Sequence, residues 1–106
     1  MSWHLIEVLL PLADNEGRPF PDALLEDIKQ VLVDRFGGVT AFTQAPAEGV
    51  WASDDDGKRR DEIVTLEVMA DELDKRWWRT FRKDLERKLQ QEEVVVRAFP
   101  MVKLTG

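Results

Sequence analysis

The stretch GGVTAFT, residues 37–43, decides how the chain is organised. A glycine just past the last residue of a helix takes the left-handed backbone conformation without a Cβ clash, so the Gly37-Gly38 pair is typical of a helix end. The run that follows is typical of a strand, because it is rich in β-branched and aromatic residues. The stretch therefore predicts a helix before it and a strand after it.

Two apolar stripes, each recurring at steps of three and four residues, predict the helices. The first helix covers residues 21–36, and its stripe consists of Leu24, Leu25, Ile28, Val31, Leu32 and Phe36. The second helix follows Asp71, because an aspartate with Asp74 three residues later is typical of a helix start. Its stripe consists of Leu73, Trp77, Trp78, Phe81, Leu85 and Leu89.

Alternation of apolar and polar residues predicts the strands. They cover residues 3–12, 39–45, 63–69 and 94–99, and Pro100 is expected to end the last one. The element order is βαββαβ. We therefore expect an α+β fold of the ferredoxin-like split βαβ sandwich type, a single domain over residues 1–106 with an antiparallel four-stranded sheet in the order 4-1-3-2 and two helices on one face.

Composition limits the function classes. The 106 residues have a net charge of −6 and include no cysteine, so a disulfide framework and a cysteine nucleophile are excluded. The acidic balance argues against nucleic acid as a partner. The sequence shows no signal peptide and no apolar run of membrane-spanning length, so we expect a cytoplasmic protein with no membrane partner. No phosphate-binding glycine motif occurs, and we expect no cofactor.

An extended hairpin over residues 46–62 is predicted between the second and third strands. Asp56-Gly57 is a strong two-residue turn signal. The run Asp54-Asp55-Asp56 suggests a metal, but its aspartates are consecutive and do not alternate as ligands of a calcium loop do, so we expect a solvated hairpin tip and no metal site. Trp51 either packs back onto the domain or contacts a partner, and packing is the preferred interpretation.

The sheet face that the helices leave open is predicted to be partly apolar. The strand register places on it Leu5, Glu7, Leu9, Thr65, Glu67, Val95, Arg97 and Phe99. Such a mixed face favours packing against a second subunit, so we expect a homodimer through this face. Within it Glu7, Glu67 and Arg97 should cluster, because they belong to neighbouring strands. This cluster is either an interface ion pair or a pair of carboxylates suited to proton transfer.

The second helix carries a basic ridge, which we define as Arg76, Arg79, Lys83 and Arg87. These residues recur at steps of three and four and therefore share one side of the helix. A solvated face is the simpler interpretation; a contact site for a small molecule or an acidic protein, involving Trp51, Arg76, Arg79 and Lys83, is the alternative. No aromatic residue interleaves the ridge, which disfavours single-stranded nucleic acid.

The motifs Gly38-Val39-Thr40 and Gly49-Val50-Trp51, followed by an Arg-Asp-Glu lead into a valine-rich strand, resemble a group of uncharacterised bacterial ferredoxin-like proteins. The resemblance implies the fold but no reaction. Related architectures pair sheet to sheet as dimeric α+β barrels, and some of these are small enzymes. Several such enzymes use a catalytic histidine, for which this sequence offers only His4, at the start of the first strand.

Two functions from different classes follow. The preferred one is a dimeric module that acts through protein contacts or small-ligand binding on its open sheet face. The alternative is a small enzyme of the dimeric α+β barrel type that uses Glu7 and Glu67 in acid–base chemistry. An RNA-binding module of this topology is disfavoured, because the central strands lack stacking aromatic residues.

Overall fold

The computed structural model describes residues 2–44 and 63–105, and the predicted hairpin with Trp51 lies outside them. The chain forms an α+β fold, a four-stranded antiparallel sheet with two helices. The elements in chain order are β1 Trp3–Pro11, α1 Asp22–Phe36, β2 Thr40–Gln44, β3 Ile63–Ala70, α2 Lys75–Lys88 and β4 Val95–Met101. No helix in the described ranges is long and apolar enough to cross a membrane.

Helix α1 ends at the glycine pair, as the sequence predicted. Gly37 adopts the left-handed conformation at φ 86°, and its N–H donates to the carbonyl of Val33. Ile28 and Leu32 are buried against the sheet. Val31, which the sequence assigned to the same stripe, is 43% exposed. That assignment is wrong, because a turn of about 100° per residue places Val31 beside the row of Ile28 and Leu32, towards solvent.

The start of α2 lies three residues later than the sequence suggested. Asp74 is the N-cap, and its side chain accepts a hydrogen bond from the Trp77 N–H at 3.1 Å. Asp71 instead follows directly on β3, where the chain turns away from the sheet. Aspartate is a favoured N-cap residue, and the one that caps the helix is Asp74, which is followed by the aromatic core residues Trp78 and Phe81.

The strands lie in the order β2-β3-β1-β4, which is the predicted order 4-1-3-2 read from the opposite edge. The even-numbered residues of β1 from Ile6 to Leu10, and those of β3, are buried beneath both helices. One apolar core results, with α1 and α2 on the same face of the sheet. Its most deeply buried members are Ile6, Val8, Leu10, Leu32, Val64, Leu66, Leu85 and Val94.

Strand β4 continues through Pro100, contrary to the expectation that this proline ends it. Pro100 lies opposite His4, and Met101 lies opposite Trp3. Because β4 is an edge strand, a residue without an N–H is tolerated where that position does not donate to the ladder. Beyond Met101 the tail is exposed, including Val102 and Leu104.

Candidate functional site

A charged row crosses the middle of the open sheet face. Glu7 of β1 lies directly opposite Arg97 of β4 on one side and Glu67 of β3 on the other, with Thr40 of β2 beyond Glu67. The three residues of the predicted cluster are therefore brought together. Side chains alternate between the two faces along a strand, and all three of these residues fall on the open face.

The strongest contact in this row joins Arg97 and Glu7. The Arg97 Nε donates to the Glu7 Oε1 at 2.7 Å, and the Glu7 side chain is 19% exposed against 53% for Arg97. Within the described ranges no cation lies at ion-pair distance from Glu67. Arg97 thus neutralises Glu7, whereas Glu67 on the neighbouring strand β3 has no such partner among the described residues.

Apolar side chains surround the charged row. Directly above and below it, Leu5 lies between Phe99 and Met69, and Leu9 lies between Val95 and Thr65. The side chains of Phe42, Met69, Val95 and Phe99 remain between 41% and 45% exposed. A patch that is half-buried and apolar, with a fixed ion pair at its centre, is typical of a protein contact surface.

The basic ridge is exposed along its whole length, as predicted. Arg87 forms an ion pair with Asp84. In the described part of the chain no carboxylate pairs with Arg76, Arg79 or Lys83. The ridge is therefore neutralised at its C-terminal end and not at its N-terminal end.

A cavity of about 240 Å³ lies between α2 and the edge strand β4. It includes Arg79 of the ridge but not Arg76 or Lys83. Its lining is apolar at the base and cationic on the α2 side, and consists of Ile6, Leu73, Lys75, Trp78, Arg79, Arg82, Val96, Arg97 and Ala98. Lys75 and Arg82 were not singled out from the sequence, although their spacing of four and three residues around Arg79 is the helical signal that identifies a second cationic row.

A wider cleft of about 880 Å³ lies beside the loop between β1 and α1. The polar groups of this loop bond mainly to one another. Asp14 accepts hydrogen bonds from the backbone N–H groups of Arg18 and Glu16, both at 2.9 Å. The N–H of Arg18 makes the larger contribution and holds the pKa of Asp14 below its ordinary value. Asn15 donates to the carbonyl of Gln90 and thereby ties the loop to the turn that follows α2.

Comparison with known proteins supports the fold and gives no family. No family model and no curated protein matches the chain. Among solved structures, a phage SAM lyase in complex with S-methyl-5'-thioadenosine is similar, with a TM-score of 0.62, 16% sequence identity, and coverage of 92% of this chain and 81% of that one. At this identity the similarity shows a shared fold alone.

Proposed function

We propose that the chain is a ferredoxin-like module that forms a homodimer through its open sheet face and acts through the contacts made there. The strand order β2-β3-β1-β4, with both helices on one face, supports the ferredoxin-like assignment. The observation that carries the dimer is the exposure of Phe42, Met69, Val95 and Phe99 on one surface around a fixed ion pair.

The charge pattern of the row favours a second copy of this chain as the partner. If two sheets stack face to face about a two-fold axis parallel to β1, β4 of one copy lies over β3 of the other. Arg97 of one copy then meets Glu67 of the second copy, and Phe99 meets Met69. A guanidinium has five N–H donors, so one Arg97 can serve its own Glu7 and the other copy's Glu67 together.

The same arrangement gives the dimer a dependence on salt. The stacked row contains twice as many carboxylates as guanidinium groups, so it carries excess negative charge. Added salt screens that charge and also strengthens apolar association. Salt also screens the attraction between Arg97 and Glu67 of the second copy, so the two charge effects oppose each other, and we expect the dimer to tighten mainly in salts such as sulfate that strengthen its apolar contacts.

A matched pair of valines tests the proposal. Val95 on the open face and Val31 on α1 are exposed to nearly the same extent, 41% and 43%. Val95→Glu places a new carboxylate in the stacked face and should produce a monomer in sedimentation velocity, whereas Val31→Glu should leave the dimer unchanged. A wild-type monomer at micromolar concentration, or equal effects of the two substitutions, would contradict the proposal.

The alternative function, acid–base chemistry by Glu7 and Glu67, rests on the unpaired state of Glu67 within the described residues. It predicts a different outcome for one substitution. Glu67→Gln keeps the shape of the side chain and removes its charge, so an enzyme would lose activity while keeping its oligomeric state. In the dimer proposed above, the same change removes the contact with Arg97 of the second copy and weakens association.

A further inference from the structure

The cavity between α2 and β4 combines an apolar base with a cationic wall. Trp78 and Ile6 belong to the buried core, and with Leu73, Val96 and Ala98 they make the base apolar. Lys75, Arg79 and Arg82 come from successive turns of α2 and line one side. A void in the apolar core would be lined by apolar side chains, whereas three cations lie at the edge of this cavity.

The cations at this rim are only partly neutralised. Arg82 pairs with Glu86 at 3.1 Å, and Glu86 also accepts the Val94 N–H. In contrast, no carboxylate in the described ranges lies at ion-pair distance from Lys75 or Arg79. An anion that entered the cavity would therefore meet two positive charges that are not already occupied by side chains on the described part of the chain.

Positive charges at the start of α2 do not stabilise the helix. The first turn of α2 contains Lys75 and Arg76 and no acidic residue, although the positive end of a helix dipole favours acidic residues. The N-cap carboxylate of Asp74 is engaged by the Trp77 N–H and by Arg35 at 3.3 Å. Of these first-turn charges only Lys75 lines the cavity, and an anion bound beside Lys75 would compensate its charge.

We propose that this cavity binds a small organic anion with a flat apolar body, its negative group held by Arg79 and Lys75 and its body placed against Trp78. The cavity is open to solvent and smaller than the roughly 300–1,000 Å³ of sites for drug-sized ligands, so the part of a ligand that it holds is small. The site is separate from the open sheet face, and its occupancy does not depend on dimer formation. Arg97 borders it, while the guanidinium of Arg97 is committed to Glu7 on the opposite face of the sheet.

Two probes of the same shape test the charge requirement. 2-Naphthoate is anionic at pH 7 and 2-naphthol is neutral, and inorganic phosphate supplies a negative charge without an apolar body. Binding is followed in nitrogen-15 NMR spectra through the indole N–H of Trp78, whose Nε1 is buried with no hydrogen-bond partner in the described structure. We expect 2-naphthoate to shift this signal and to bind at least about tenfold more tightly than 2-naphthol or phosphate, as one charge-assisted contact provides.

Arg79→Gln and Arg76→Gln form the matched pair of variants, because both residues are exposed and lie on α2 while only Arg79 lines the cavity. Arg79→Gln should weaken 2-naphthoate by about tenfold and leave 2-naphthol unchanged, and Arg76→Gln should change either probe by less than about twofold. Equal binding of the two probes, equal effects of the two variants, or shifts confined to residues of the open sheet face would each overturn the proposal.

Discussion

Replacing Phe99 by alanine tests the open sheet face most quantitatively. Phe99 is 45% exposed, and an aromatic residue of roughly 200 Å² then has about 90 Å² left to bury. Two-fold symmetry doubles this to about 180 Å², which corresponds to about 4.5 kcal/mol at ~25 cal/mol per Å². Ordering and imperfect packing reduce the gain, so we expect Phe99→Ala to raise the dimer dissociation constant by about two to three orders of magnitude.

Sedimentation equilibrium over a range of concentrations measures this constant, and thermal unfolding of the same samples shows that the fold is retained. Val31→Ala is the control, because it truncates an apolar side chain of similar exposure that lies on α1. The same dissociation constant for wild type and Phe99→Ala would refute the assignment of this face to the interface. A loss of dimer in Val31→Ala would do so as well.

Two further predictions concern charge. Arg97→Glu and Glu67→Arg should each be monomeric alone and should form a mixed dimer when combined, because each then supplies the charge that the other copy needs; native mass spectrometry would show the mixed species, and its absence would argue against the two-fold arrangement along β1. Asp14 has a lower pKa in the folded chain than its ordinary value, so its charge stabilises the fold above the ordinary pKa and this contribution is lost as the pH falls towards the lowered one. The difference in Tm between wild type and Asp14→Asn should therefore be largest near neutral pH and shrink below about pH 4, and a constant difference would contradict the role of the Arg18 and Glu16 N–H groups.

The sequence alone predicted the order of the helices and strands, and it predicted that the charged row lies on one face of the sheet. Side chains alternate strictly along extended backbone, so Glu7, Glu67 and Arg97 had to share the open face once the apolar set of each strand faced the core. The glycine pair at 37 and 38 was similarly decisive, because few other residues adopt φ 86° without strain.

Other features depended on tertiary packing that local patterns do not encode. Asp71 has an acidic residue three positions later and Asp74 does not, yet the path of the chain out of β3 makes Asp74 the N-cap. β4 can continue through Pro100 because it lies at the edge of the sheet, and its place there is set by the order of all four strands. The cavity was not predicted, because Lys75 and Arg82 acquire a shared environment only when α2 packs beside β4.

An isotope-filtered NOE experiment tests the proposed dimer most directly. A mixture of carbon-13-labelled and unlabelled protein reports only contacts between copies, so signals within one chain do not interfere. Stacking about an axis along β1 predicts a cross-peak between the Phe99 ring of one copy and the Met69 methyl group of the other. Cross-peaks between copies that come only from α1 residues such as Val31, or none at all at micromolar to millimolar concentration, would contradict the proposed sheet-face dimer.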